Sequence, residues 1–423
     1  MEETMEKAIL VAVNVNDKDY FIESLDELEE LVKACDMTKV GTIIQNLDKV
    51  NNALYIGTGK VEEVKEKVIQ TSADLVIFNN ELSPSQLKNL QKILNVPILD
   101  RTALILEIFE RRARTKEAKL QVEVAKLKYM LPRLVGLHDS LGRQGGASGL
   151  SNKGSGEKKL ELDRRKIEDK ITELNKELKN IVSERDVQRK QRKRSGLPLV
   201  SLAGYTNAGK STLLNSMVDM FKSDDSKKVE EKDMLFATLE TSVRNITLND
   251  NKQFLLSDTV GFISELPHDL VKAFRSTLEE IKQADLILHV IDYSDVNYKQ
   301  HIEVTKSTLK ELGVQDVPVI YVYNKSDLVL KDIPIIEEDK NSIYICASQK
   351  IGIEGLIELI KKQVYSDYVS VRFLIPFDKG NIVSYFNEVA TINYTEYVEN
   401  GTIIDVECKL SDYNKYVEYE LKK

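Results

Sequence analysis

Short apolar runs recur at regular intervals through the first 110 positions, each followed by a stretch with helical spacing. Ile9–Val15, Ala53–Ile56, Leu75–Phe78 and Val96–Leu99 predict buried strands. Ser24–Ala34, Val61–Gln70 and Ser83–Leu94 predict amphipathic helices between them. Ser83-Pro84 has the form of a helix N-cap with proline at the first helical position. Strands alternating with helices imply a mostly parallel sheet.

The strand pattern stops near position 111 and does not return until about 195. Leu120, Val124, Leu127 and Leu131 are spaced four, three and four apart, and Ile167, Ile171, Leu174, Leu178 and Ile181 repeat that alternation. Both are heptad seams. Between them, Leu141 to Gly156 contains six glycines: Gly142, Gly145, Gly146, Gly149, Gly154 and Gly156. Two long helices paired antiparallel, with a glycine-rich loop at the tip, account for this pattern.

From Leu197–Ala203 the alternation resumes, with later strands expected at Phe254–Ser257, Leu286–Ile291, Val317–Tyr323 and Ser342–Cys346. Met220–Asp233 is polar and charged, and a mobile loop is expected there. After about 367 the chain predicts a strand at Ser370–Pro376, a helix near Ile382–Val389 and a hairpin around Asn400-Gly401.

A chain of 423 residues has room for two to four domains and several cores. Its net charge of −8 conceals an asymmetry. Arg111–Arg194 holds 24 basic and 12 acidic residues, a local +12, while the rest carries −20. A basic block in an acidic protein points to a polyanionic partner. The bland account is a solvated coiled-coil face, but Arg111–Lys153, with ten basic and three acidic residues, departs from ordinary alternation. Cys35, Cys346 and Cys408 are far apart, without metal-ligand or disulfide spacing, as in a reducing compartment. No apolar run approaches the ~20 residues of a membrane span. The cytoplasm is the expected location, with partial membrane association left open.

Three segments carry chemistry. Gly204-Tyr205-Thr206-Asn207-Ala208-Gly209-Lys210-Ser211, followed by Thr212, has the phosphate-loop form between a strand and a helix. Its N–H groups can converge on an anion at a helix N-terminus. Lys210 is expected at the β- and γ-phosphates and Ser211 at Mg²⁺. Asp258-Thr259-Val260-Gly261 follows a strand, where a carboxylate can hold a Mg²⁺-bound water and the Gly261 N–H can meet the γ-phosphate. Thr238, in Phe236-Ala237-Thr238-Leu239-Glu240, is assigned as the switch threonine that joins the Mg²⁺ shell; the alternative is an ordinary strand threonine. Lys210, Thr238 and Gly261 are therefore the expected catalytic set.

Asn324-Lys325-Ser326-Asp327 ends a strand. A carboxylate at Asp327 can accept from N1–H and the 2-amino group of guanine, and adenine would leave it unpaired. Asn324 is expected at N7 and the neighbouring loop, and the Lys325 stem over the ring. In Cys346-Ala347-Ser348 the Ala347 N–H would serve the guanine oxygen. Phe262 stands where many GTPases place a water-orienting glutamine, which predicts slow intrinsic hydrolysis. Asn207 either helps hold K⁺, as an asparagine at this loop position does in several translation-associated GTPases, or braces the loop. Gly57-Thr58-Gly59-Lys60 lacks the first glycine of the phosphate-loop form, since position 54 is leucine, and is read as a strand-to-helix turn.

These segments, with Gly57–Glu63, Asp100–Leu106 running into Gln121–Arg133, Gly154–Glu157 through Asp163–Arg165 and Leu266-Pro267-His268, resemble the HflX-type ribosome-associated GTPases over about 1–365. The resemblance implies a GTP-loaded factor that binds the large ribosomal subunit and splits or rescues stalled or idle ribosomes, with its glycine-rich loop near the peptidyl-transferase region. Cys346 and Leu150-Ser151-Asn152 depart from the family pattern. Independently, a basic arm with Arg143 and Lys153 near its tip suits structured RNA read by shape and backbone.

The expected architecture is a multidomain α/β chain. It comprises an N-terminal parallel α/β domain (1–110), an antiparallel two-helix arm (111–195), a phosphate-loop GTPase domain with a doubly wound sheet (196–366) and a small C-terminal α+β module (367–423). It is expected to act as a monomer with Mg²⁺ and GTP or GDP. A regulatory GTPase signalling through a protein partner is the competing function. An RNA-modifying enzyme would require a further nucleophile or cofactor site, which the sequence does not offer.

Overall fold

The computed structural model describes residues 5–16, 21–134, 161–181, 197–223, 242–250, 252–263, 280–314, 316–337 and 341–421. Contacts divide the chain into two units, 1–191 with 232–240 and 260–277, and the remainder.

The first unit contains a four-stranded parallel sheet in the order β2-β1-β3-β4. β1 (Glu6–Val15) and β3 (Leu75–Phe78) are central and run as unbroken buried apolar stretches, as strands covered on both faces must. β4 (Ile98–Asp100) is short. The helices α1 (Phe21–Ala34), α2 (Thr58–Thr71) and α3 (Pro84–Leu94) flank the sheet. Ser83 caps α3 through a capping box with Gln86, with Pro84 in the first turn, as expected.

Two expectations fail in this sheet. β2 (Met37–Leu47) was not foreseen, because an edge strand shows water much of its length and so alternates weakly. Ala53–Ile56 is not a strand. It is a turn in which Asn51 Oδ1 accepts from the N–H groups of Ala53 and Leu54, and the Asn51–Tyr55 bridge closes it. Its apolar residues pack into the core, so burial without sheet pairing produced the strand-like signal.

α4 (Arg101–Arg112) follows β4 and packs against α1 and the sheet; the helical arm begins with α5 (Lys116–Met130), capped by Thr115, which accepts from the Ala118 N–H. Residues 161–181 are helical. The two expected seams meet: Leu120, Val124 and Leu174 are buried together, with Leu127, Ile171, Leu178 and Ile181 packed around them. Lys116 pairs with Glu177 at 3.2 Å, and Lys170 feels the charge of Glu123, so the helices run antiparallel. The glycine-rich loop, with Arg143 and Lys153, lies outside the described residues.

The second unit is built on an eight-stranded sheet in the order β11-β12-β10-β9-β5-β8-β7-β6. The five strands β12 (Ser342–Tyr344), β10 (Val319–Asn324), β9 (Leu286–Asp292), β5 (Leu199–Ala203) and β8 (Gln253–Asp258) are parallel. β7 (Ser242–Thr247) runs antiparallel to β8, β6 (Lys222–Ser223) to β7, and β11 (Ile335–Glu337) to β12. These three antiparallel strands were not predicted. Of the loop expected at Met220–Asp233, Met220 ends a helix and Lys222–Ser223 is strand; the rest lies outside the described residues. The core packs Leu202, Leu213, Phe254, Leu288, Val322 and Leu356 between sheet and helices.

The C-terminal module is a three-stranded antiparallel sheet, β13 (Tyr368–Ile375), β15 (Gly401–Lys409) and β14 (Thr391–Val398), with helices Gly380–Val389 and Leu410–Tyr416 over one face. Gly401 has φ of +153°, and a Cβ there would lie 2.3 Å from the Ile375 carbonyl oxygen. That contact fixes glycine at the predicted hairpin. No described helix is long and apolar enough to cross a membrane.

Candidate functional site

The site forms where the parallel strands of the second unit end, the usual crevice of an open α/β sheet. β5 runs out at Ala203, the chain turns through Gly204–Gly209, and the helix Lys210–Met220 begins. Two glycines make that turn possible. Gly204 has φ of +153°, and a Cβ would sit 2.1 Å from the Val290 carbonyl oxygen. Gly209 has φ of +89°, and its Cβ would meet Asn324 Nδ2 at 2.2 Å. Asn207 also takes a positive φ, 59°, and is exposed.

Lys210 is buried and folds back into the loop, donating to the carbonyl oxygens of Gly204 at 3.1 Å and Tyr205 at 2.7 Å. Burial lowers its pKa to about 8, opposed by the charge of Asp258. Ser211 Oγ donates to Asp258 Oδ2 at 2.6 Å. Two hard oxygens side by side at the head of a helix fit Mg²⁺, which takes few protein ligands and keeps its waters. Thr206 Oγ1 is buried inside the loop without a hydrogen-bond partner among the described residues, as an orphaned donor facing a phosphate oxygen would be. Thr259 Oγ1 donates to the Leu202 carbonyl at 2.7 Å and fastens the end of β8 to β5. Val260, Gly261 and Phe262 follow in the chain and are buried. Phe236–Glu240, and Thr238 with them, lie outside the described residues.

At the other end of the crevice, Asn324 joins all three loops. Its Nδ2 donates to the Ala208 carbonyl at 3.0 Å, and its Oδ1 accepts from the Ala347 N–H at 2.9 Å. The Ala347 N–H, expected to serve a base, therefore serves Asn324 here. Ser216 Oγ donates to the Ala347 carbonyl at 2.7 Å, tying the helix after the phosphate loop to the same segment. Lys325 takes φ of 57° and its ammonium pairs with Asp292 at 2.7 Å, which orients the stem along the crevice. Ser326 Oγ donates to the Tyr323 carbonyl at 2.7 Å. Asp327 accepts from Gln349 at 3.1 Å. The Cys346 thiol lies 3.3 Å from Ser348 Oγ, and burial raises its pKa.

Sequence reasoning missed Asp292, Ser216 and His301. The Tyr205 ring stacks on His301, with centroids 3.8 Å apart and planes 9° from parallel. Asp292 could have been found, since it is the first polar residue after a buried strand, Leu286–Ile291, at the end where ligands bind. His301 and Ser216 lie on helices and carry no local signal.

A glycine-cornered loop with an inturned lysine, a serine and an aspartate sharing one hydrogen bond, and an asparagine-lysine pair at the next strand's end define a phosphate-loop GTPase. Comparison with known proteins agrees. Residues 22–110 match a family described as GTP-binding GTPase N-terminal, 112–192 one described as GTP-binding GTPase middle region, and 199–325 one described as 50S ribosome-binding GTPase. GTPase HflX of Caldanaerobacter subterraneus is 44% identical over 96% of this chain and 92% of that protein. GTPase HflX of Escherichia coli is 36% identical over 98% of this chain and 96% of that protein. The chain belongs to the HflX family of GTPases. A crystal structure of a GTP-binding protein from Sulfolobus solfataricus in complex with GDP aligns over 86% of this chain and 99% of that one at 25% identity, with a TM-score of 0.45, too low to add to the assignment.

Proposed function

We propose that this GTPase is a switch factor that binds the large ribosomal subunit through its basic helical arm and splits or rescues stalled or idle ribosomes. The observation that carries the reading is the joining of a GTPase site to an antiparallel helix pair cut from a block of local charge +12. The description of the 199–325 family supplies the ribosomal partner. Work on ribosomes places the protein in the cytoplasm. The arm's apolar seam is used up in its own pairing, which favours a monomer.

In this reading Lys210 exchanges the carbonyls of Gly204 and Tyr205 for the β- and γ-phosphates, and Ser211 turns from Asp258 to Mg²⁺. Bound Mg²⁺ neutralises charge on the phosphates. Gly204–Thr212 cradle the phosphates, Phe236–Glu240 bring Thr238 to the metal, and the Gly261 N–H reads the γ-phosphate. Asn324–Asp327 and Cys346–Ser348 hold the base, with Asp327 reading its N1–H and 2-amino group. Buried Phe262 cannot orient water by hydrogen bonding, so hydrolysis is slow until the ribosome acts. Asn207, exposed in the loop, either assists K⁺ or braces the loop; equal turnover in Na⁺ and K⁺ would remove the cation.

The test is co-sedimentation with purified large subunits, loaded with a GTP analogue or with GDP, across a salt series. Binding that favours the GTP analogue and falls steeply with salt is expected, because phosphate contacts release counterions. Binding that is absent, or that survives salt unchanged, would move the reading to a regulatory GTPase with a protein partner.

A further inference from the structure

The hairpin β7–β8 links two ends of the molecule's second unit. At one end Ser242 pairs with Asp258, the carboxylate that takes the Ser211 hydroxyl. At the other, the Leu248 N–H donates to the Lys252 carbonyl at 2.9 Å, and the C-terminal module grips this tip with all three of its strands. Lys252, almost wholly buried, pairs with Glu407 of β15 at 2.7 Å. Thr391 of β14 donates its hydroxyl to the Asp250 carbonyl at 2.5 Å. The Lys252 ammonium lies 5.8 Å from the ring centroid of Tyr368 in β13 and 5.3 Å from that of Tyr365. The helix Ile353–Val364 and the residue after it close the grip: Lys361 pairs with Asp250 at 2.8 Å, and Tyr365 donates to the Gln253 carbonyl at 2.8 Å.

From these contacts we propose that the C-terminal module is a nucleotide-linked element, with the β7–β8 hairpin as its lever. Each strand has six residues, so the lever spans about 20 Å. A hydrogen-bonded ladder transmits a shift in register or tilt because it deforms as a whole. Asp258 must change partners when Ser211 turns to Mg²⁺, which biases one end. The three contacts made by Glu407, Thr391 and Tyr368 carry that bias to β15, β14 and β13. A cavity of about 560 Å³ beside the tip, lined in part by Asp250, Lys252, Leu359, Lys361 and Glu407, leaves room for the turn to move. By linkage the effect is reciprocal: a partner that holds the module in one orientation changes the preference for GTP over GDP. The proposal rests on the GTPase assignment and is independent of the ribosomal reading.

Hydrogen exchange of the full chain, saturated with a GTP analogue or with GDP, tests it. Amides of 391–409 are expected to exchange at rates differing by a factor of about 5 or more between the two states. The difference should collapse in Glu407→Gln while exchange in β5 and β9 stays as in the parent chain. Thr391→Val removes one hydrogen bond alone and should shrink the difference by a smaller factor, which keeps the test intact if Glu407→Gln folds poorly. Equal exchange in both nucleotide states, or a difference that survives both substitutions, would overturn the proposal.

Discussion

At the carboxyl ends of β3 and β4, Asp100, Arg101, Asn79 and Arg133 are committed to one another and to Glu27, while Asn80 Oδ1 finds no partner among the described residues. Asp100 accepts from the N–H groups of Ala103 and Leu82 and pairs with Arg133 at 3.2 Å, while Arg101 donates to Asn79 at 2.9 Å and to Glu27 at 2.5 Å. Asp100 and Arg101 are 0% and 3% exposed. At the carboxyl ends of β5, β8 and β10 the arrangement is different. Among the described residues Lys210 donates only to backbone carbonyls and Thr206 Oγ1 has no partner, and Asp327 is half-buried. Both crevices belong to parallel α/β sheets, where fold analogy would expect ligands. The first has been filled by the protein's own ion pairs, and through Arg133 it ties the C-terminal end of α5 to the sheet. Only the second keeps groups that can change partners. The fold supplies two crevices, and the disposition of side chains decides which one does chemistry.

That contrast can be broken most severely at Asp100. Asp100→Ala leaves Arg133 and two N–H groups buried without their acceptor and should cost about 3–5 kcal/mol of stability. Denaturant unfolding measures it, and nucleotide affinity of the folded fraction should not change. A loss of GTP binding at unchanged stability would mean that the first crevice takes part in the site. Asp327→Asn is the converse: GTP affinity should fall by about 10²-fold with unfolding unaffected, and xanthosine triphosphate, which offers an acceptor where guanine offers a donor, should be partly rescued. Competition binding with both nucleotides reads the switch.

A smaller effect concerns pH. The Lys210 pKa is lowered to about 8, so the free site loses its ammonium as pH rises through that value. Phosphate binding favours the charged form, so the affinity should hold below pH 8 and fall by at most about tenfold per unit above it. A titration from neutral to alkaline pH checks this, and Lys210→Ala, weaker throughout, should show no such fall. The smallest expected change is at Cys346. The thiol packs beside Ser348, and a serine hydroxyl can keep that contact, so Cys346→Ser should alter GTP affinity by no more than about 3-fold. A larger loss would give the sulfur a role in the base pocket.

Much of this contrast was legible before the structure. The central strands announced themselves as unbroken apolar runs, and both arm seams were readable because heptad spacing survives in the sequence. The phosphate loop was legible because its glycines answer to backbone geometry that the structure bears out at Gly204 and Gly209. What escaped was long-range or exposed. β2 and β7 face water along one side and alternate too weakly. Asn324 was expected at N7 and the neighbouring loop, but that the loop partners are Ala208 and Ala347, 116 and 23 residues away, could not be read locally. The pairing of Lys252 with Glu407 has no local trace at all, since nothing at either position signals the other.

The central claim is a GTPase whose turnover waits for the ribosome. The direct measurement is GTP hydrolysis in K⁺ buffer with and without purified large subunits, for the full chain and for a variant lacking 141–156. Slow turnover alone, strong stimulation by large subunits, and loss of that stimulation in the variant are predicted. Fast turnover without ribosomes, or no response to them at any salt with GTP binding intact, would contradict it.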